Sequence, residues 1–351
     1  MSKFPETHFF PDVLDISTAS AIVKGDDFTS MEKCTFVRNT AMIVPTAHCI
    51  RHSALCPLQG PDADGSGSPC WDWSACGKLG RLDGKTVVTF ATWARFHVWW
   101  GTKMLMHENV PGFFVWFARW HLRTFSVCQF DVSPADSGFP LIERARQYLI
   151  CVNRTTAEIR SDPYVLFDYV KQQLASQLMP KDAVFAEPAE IRAEEIKICQ
   201  VRGKEVSIHS LPPDLYYTLS LAEQRYVHHL NTMYMVRTGR RPELDKDLVY
   251  NLVDNPENRV SWSVPSGQIP TLRRNSARTY YPSLRRCLTS SERLALMGYP
   301  SHWALAAACG SDEIARMSAT ELSFLVGNAM HMPTATMMWT IGLACVHPKA
   351  L

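Results

Sequence analysis

The stretch Gly67-Ser68-Pro69-Cys70-Trp71-Asp72-Trp73-Ser74 decides how this chain is read. Proline fixes φ and removes a donor, so Pro69 turns the chain just ahead of a cysteine. Asp72 and Ser74 are small and polar, which presents the Cys70 thiol at a loop instead of within an apolar run. A thiolate is the most nucleophilic of the ordinary side chains, and its surroundings set how much of it forms. A cysteine is also commonly a small core hydrophobe, so the neighbouring segments must decide.

Beyond this loop, Thr86 to Trp100 carries Val87, Phe90, Ala94 and Val98 at helical spacing, with Trp93 and Trp99 beside them, which predicts a helix with one buried face. Lys103 to Met106 reads as a short buried strand ending in His107-Glu108-Asn109-Val110-Pro111-Gly112. Polar residues at the carboxyl end of a strand are where an open α/β sheet places ligands. Glu108 is therefore a candidate, its plain alternative being a solvated loop carboxylate. After a turn at Gly138-Phe139-Pro140, Glu143-Arg144-Ala145-Arg146 leads into a strand, Gln147 to Val152. In an extended segment Arg144 and Arg146 share a face and suit an anionic or carbonyl-rich ligand. They also fit a solvated sheet edge.

The texture changes near residue 155. Asp162-Pro163 opens a helix to about Leu178, Pro188 to Val201 is charged and helical, and Ser220-x-x-Glu223 is a capping box for Leu221 to Val236. His228 and His229 on that helix are read as surface or packing residues. From Arg259 to Arg286 there are six arginines and no acidic residue, with Trp262, Tyr280 and Tyr281 interleaved. Basic side chains meet phosphates and aromatic faces stack on bases, so Arg273, Arg274 and Arg278 are expected to contact nucleic acid. Thr289-x-x-Glu292 and Ser318-x-x-Glu321 open two further helices, ended by Gly298 and Gly327. A tight turn at Gly327-Asn328-Ala329-Met330 leads into a last apolar helix, Pro333 to Cys345.

Upstream of the Cys70 loop the signals are weaker. Phe9 to Ile16 is strand-like, and residues 17–60 read as irregular. Cys49-x2-His52-x3-Cys56 offers zinc-type ligands, but no paired CxxC accompanies it, so scattered core thiols and no metal are expected. The 351 residues are 46% hydrophobic and 20% charged with a net charge of +2, a globular profile without general attraction for polyanions. Eleven irregularly spaced cysteines behind a polar N-terminus suggest a reduced, intracellular protein. The apolar run near Thr334 to Val346 is too short for a bilayer, so no membrane is expected.

Taken in order, GSPCWDWS (67–74), HENV (107–110), ERARQYLICV (143–152), RRCLTSSERLALMGYP (285–300) and VGNAM (326–330) resemble the cytosine-C5 DNA methyltransferase family. The resemblance implies a Rossmann-like, S-adenosylmethionine-dependent α/β fold with helices on both faces. It also implies catalytic parts at 1–152 and 284–351 around a mainly helical target-recognition region at 153–283. It makes Cys70 the nucleophile that adds to C6 of a flipped cytosine. Glu108 becomes the carboxyl group at N3 and the amino edge, and Arg146 the holder of O2 supported by Arg144. DNA is the implied partner, RNA the second choice, and a nucleus the implied location in a eukaryote.

The departures from the family concern the methyl donor. The Phe-x-Gly-x-Gly loop and acidic ribose ligand of the family are not found, and the first strand–loop–helix unit is expected to be lacking. Pro61-Asp62-Ala63-Asp64-Gly65 stands where the family has an apolar strand, and no Gln precedes Arg144 at the usual distance. Asp12, Pro69, Asn328 and Ala329 remain as cofactor contacts, and weak or absent donor binding is expected. The runner-up is an inactive, methyltransferase-like protein that binds nucleic acid or a partner.

Overall fold

The computed structural model describes residues 7–74, 77–206, 214–272 and 278–349. Two compact units emerge. One holds 1–132, 145–169 and 338–351; the other holds 133–144 and 170–337.

The first unit is α/β, the class expected. Helices α1 (Ser20–Lys24) and α2 (Ser30–Asn39) are followed by a hairpin of β1 (Thr46–Cys49) and β2 (Ala54–Pro57). The 17–60 region is thus structured, contrary to expectation; Thr29-x-x-Glu32 is a complete capping box at the start of α2. The strand expected over Phe9–Ile16 is a 3-10 turn at Val13–Ile16, because the Asp12 side chain accepts the Leu14 amide at 2.9 Å. Thiols expected to be scattered are gathered on the hairpin, where Cys49, His52 and Cys56 meet His8.

Next come β3 (Ala63–Gly67), α3 (Val87–Trp100), β4 (Met104–Asn109), α4 (Val115–His121), β5 (Phe125–Val132), β6 (Arg146–Asn153) and β7 (Ala157–Ile159). Four strands form one sheet in the order β3-β4-β6-β5, with β3 parallel to β4 and β6 antiparallel to both its neighbours. The strand thought to be replaced by a polar segment therefore exists as β3. Its pairing with β4 satisfies the backbone, so apolar side chains are dispensable at this edge. Its one carboxylate is matched: Asp64 Oδ2 accepts Trp93 Nε1 at 2.8 Å and lies 3.0 Å from His97 Nε2. Alternation along β4 and β6 sorts their side chains. Leu105, Leu149 and Cys151 join a core with Val87, Phe90, Ala91, Ala94, Phe117 and Leu122.

In the second unit, helices α5 (Pro163–Gln173, begun in the first unit), α6 (Pro188–Arg202) and α7 (Leu221–Thr238) precede a small sheet. Its strands are β8 (Tyr250–Asn251), β9 (Thr279–Tyr281) and β10 (Arg286–Cys287) in the order β10-β9-β8. Helices α8 (Ser290–Ala295), α9 (Trp303–Ala308), α10 (Asp312–Arg316) and α11 (Ala319–Asn328) follow. The capping boxes at Ser220, Thr289 and Ser318 all form. Helix α11 runs one residue past Gly327, so Asn328 ends a helix instead of opening a turn. Finally, α12 (Met332–Cys345) and β11 (Val346–Pro348) bring the chain back to the first unit. There Gly342 faces Met104 and Ile150, and Gly65 faces the Trp339 indole, which covers the other side of the four-stranded sheet. No helix is long and apolar enough to cross a membrane among the described residues.

Candidate active site

The Cys70 loop is held from both sides. On its strand side, Asn109 Nδ2 donates to Ser68 Oγ at 2.8 Å, and His107 Nε2 lies 2.8 Å from the same oxygen. Burial drives the His107 imidazole down to about 3, so this partner is neutral at physiological pH. Trp73 is buried against Phe113, Phe114 and Phe117 on the downstream side. Asp72, expected to be a polar loop residue, is buried as well. Its Oδ2 accepts Thr86 N at 3.0 Å and Thr86 Oγ1 at 2.6 Å, at the N-terminus of α3. Between these anchors Cys70 is an exposed free thiol, and its carbonyl accepts the Trp73 and Ser74 amides.

Strand β4 does two jobs through alternation. His107 and Asn109 face α3 and hold the loop, whereas Glu108 points to the opposite side of the sheet. Glu108 is paired across the ladder with Tyr148, so Arg146, two residues away, is its diagonal neighbour. The Arg146 Nε atom is 2.9 Å from Glu108 Oε1, with side-chain exposures of 15% and 11%. The ion pair is close but poorly aligned, leaving Glu108 Oε1 without a well-directed hydrogen bond. A loop bearing an exposed thiol and an under-satisfied carboxylate–guanidinium pair thus share the end of one sheet.

Arg144 does not belong to the strand that carries Arg146. Strand β6 begins at Arg146, so alternation does not extend back to Arg144. In the second unit Arg144 is buried and donates to the carbonyls of Ala329 at 2.9 Å and Leu272 at 3.4 Å. Its chemistry there is structural: a guanidinium closing two backbone acceptors.

The arginine-rich segment also differs from expectation. Arg273 and Arg274 lie outside the described residues. Arg278 Nε donates to Glu223 Oε1 at 2.8 Å, Arg285 to Asp214 at 2.5 Å, and Arg286 to Glu292 at 2.7 and 2.8 Å. Burial would raise the Glu223 carboxyl, but Arg202, the Ser220 amide and Arg278 hold it down at about 2. Arg278, Arg285 and Arg286 are thus met by carboxylates from elsewhere in the chain. Trp262, Tyr280 and Tyr281 are core residues, not stacking platforms.

Four residues were expected to touch S-adenosylmethionine. Asp12 Oδ1 caps the Val13–Ile16 turn, and its Oδ2 lies 2.9 Å from Lys24 Nζ. Asn328 Nδ2 donates to Phe324 O at 3.1 Å, the Ala329 carbonyl takes Arg144, and Pro69 is simply exposed. The Asp12 carboxylate, the Asn328 Nδ2 and the Ala329 carbonyl are engaged within the fold, and none of the four residues offers a buried side-chain atom left for a ligand. These residues do not fit the methyl donor.

The sequence reading missed Ser68, His107 and Asn109 as the residues that position the loop. Their signal was present in the quoted GSPC and HENV stretches, where polar residues alternate with Glu108.

No family profile and no curated protein matches this sequence. Among solved structures, the chain is similar to the Schizosaccharomyces pombe Dnmt2 methyltransferase, at 11% identity and a TM-score of 0.45 over 81% of this chain and 77% of that one. An Entamoeba histolytica methyltransferase, EhMeth, gives the same values. A putative DNA modification methyltransferase encoded within an Escherichia coli prophage reaches 16% identity and 0.46 over 81% and 78%. With TM-scores below 0.5, these likenesses assign no function.

Proposed function

We propose that this chain carries the base-handling site of a cytosine-C5 methyltransferase-like protein and acts on a cytosine extruded from DNA, with RNA the second choice. The carrying observation is the tether of Ser68 to His107 and Asn109, which holds the Cys70 loop at the strand end bearing Glu108 and its partner Arg146. The Cys70 thiolate adds to C6, forming an Sγ–C6 bond and moving the C5–C6 electron pair onto C5. Glu108 meets N3 and the amino edge, and Arg146 meets O2, where charge accumulates. Reaching the base requires flipping it from the stack. The adduct takes a proton at C5 from water; loss of the original C5 hydrogen and expulsion of the thiolate restore cytosine. In the family the nucleophilic C5 takes a methyl group from S-adenosylmethionine. The residues expected to hold that donor do not fit it, and the exchange of the C5 hydrogen needs no donor.

The exchange chemistry tests this without a donor. Incubation with single- or double-stranded DNA labelled with tritium at cytosine C5 is expected to release tritium into water, and Cys70→Ser to abolish the release. Equal release from both proteins would refute the role of Cys70. Salt-dependent DNA binding with no release from either would favour the non-catalytic binding protein instead.

A further inference from the structure

The hairpin β1–β2 carries a second cluster of sulfur chemistry that the Cys70 site does not use. Across this hairpin Cys49 pairs with Ala54 and Ala47 with Cys56, so both thiols lie on one face as diagonal neighbours. His52 sits in the loop between the strands, and its Nδ1 lies 3.5 Å from Cys49 Sγ and 3.3 Å from Cys56 Sγ. The fourth member comes from far upstream. The Phe9 carbonyl accepts the Ile50 amide at 2.8 Å, and the Phe9 amide points at Cys49 Sγ at 3.3 Å, which lays residue 8 against the hairpin. The His8 and His52 rings stand edge to face with centroids 5.0 Å apart. One ligand atom from each of His8, Cys49, His52 and Cys56 lies within 4.8 Å of all the others.

We infer that His8, Cys49, His52 and Cys56 form a structural Zn2+ site. Two thiolates and two imidazoles are the donor set that favours tetrahedral zinc, and the four ligand atoms are gathered at one place, within 4.8 Å of one another. Both sulfurs are buried and both imidazoles are exposed, so the ion would be reached from the histidine side. On binding, the two thiols lose their protons to solvent and four donor bonds form, with no redox change. The segment has reason to need such a clamp. Its apolar support is a small cluster of Ile16, Ile43, Ala47 and Leu58 with partly buried neighbours, whereas the main core lies beyond it. A metal bond would tie the segment at His8 directly to the hairpin, beside that small cluster.

The test uses the full chain, purified reduced, stripped with a chelator and reloaded with Zn2+ or Co2+ alone. About one equivalent of Zn2+ is expected to bind. The Co2+ form is expected to show the intense visible d–d absorption of a tetrahedral ion and a sulfur-to-cobalt charge-transfer band, both displaced by Zn2+. Cys56→Ser should abolish the charge-transfer band at stoichiometric metal or weaken it sharply, and His8→Ala should lower Co2+ affinity by more than about 10-fold. Cys309→Ser, at an exposed thiol elsewhere, should leave both unchanged. Zn2+ should also protect Cys49 and Cys56 from alkylation in the parent chain, a reading that needs no variant to fold. An octahedral Co2+ spectrum, a Cys49–Cys56 disulfide in the reduced preparation, or alkylation of both thiols in excess Zn2+ would overturn the assignment.

Discussion

Two glutamate–arginine pairs sit in segments that carry the family resemblance, and they are built differently. In the second unit Glu292 is fully buried. It accepts both Arg286 Nη atoms at 2.7 and 2.8 Å, the Thr289 amide at 2.9 Å, and the Phe185 and Ala186 amides at 3.0 and 2.9 Å. Burial alone would raise its carboxyl, yet these donors hold it below the usual range. Glu108 in the first unit meets Arg146 through one short, misaligned contact and keeps some access to solvent. A carboxylate surrounded by donors is a joint of the fold. One with unused acceptor capacity at a strand end is suited to a ligand. The same two residue types are thus saturated with partners in one place and left with spare capacity in the other, and the count of donors around the carboxylate tells them apart.

The sharpest way to break this contrast is to make the same change at both sites. Glu292→Gln should cost about 3 kcal/mol or more in denaturant unfolding, because it leaves a buried guanidinium short of its counter-charge. A loss below about 1 kcal/mol would remove the distinction.

Acid probes it next. Burial lowers His107 and His121 in the first unit and His331 in the second to about 3, from an ordinary 6.5. These folded-state values are depressed, so unfolded chains take up protons first. Stability is full above about pH 6.5 and falls as pH drops towards 3, by about 2 kcal/mol per histidine between pH 6.5 and 5. The depressed carboxylates of Glu292 and Glu223 keep their contribution until pH falls below the ordinary carboxylate range. Unfolding free energies at pH 7 and pH 5 check this; equal values would show that the histidines are hydrated.

Glu108→Gln should then cost about 1 kcal/mol in stability while lowering tritium release by about 100-fold or more. Unchanged release would return Glu108 to the role of a strand-end surface charge. The smallest expected effect on stability is that of Cys70→Ser, within about 0.5 kcal/mol for an exposed side chain, even though release disappears.

What was legible in the sequence was what is local. Ser220, Thr289 and Ser318 each announce a helix start through a hydroxyl and a glutamate three residues on, and each box forms. The spacing of Val87, Phe90 and Ala94 locates α3 to within a residue. The hidden parts depend on partners distant in the chain. β3 is a strand because β4 pairs with it, not because Ala-Asp-Gly-Ser-Gly prefers one. Arg278, Arg285 and Arg286 look like a basic patch until Glu223, Asp214 and Glu292 arrive from other elements. His8 could not be assigned to Cys49 and Cys56 without the hydrogen bond that lays Phe9 beside Ile50. Thr29-x-x-Glu32, by contrast, is a capping box that the sequence alone displays.

Asp72 has a consequence for how this chain can change. Its carboxylate caps α3 through Thr86, and its carbonyl takes the Arg81 amide at 2.8 Å. A side-chain carbon at Gly84 would sit 2.0 Å from its Cγ. The segment from Lys78 to Thr86 therefore works as a ruler. Insertion of a single residue between Lys78 and Thr86 would either uncap the helix or drag Asp72 along, and Cys70, two residues earlier, would leave the strand end with it. Surface connections ordinarily tolerate changes of length better than the elements they join. Here composition is the freer variable and length the constrained one.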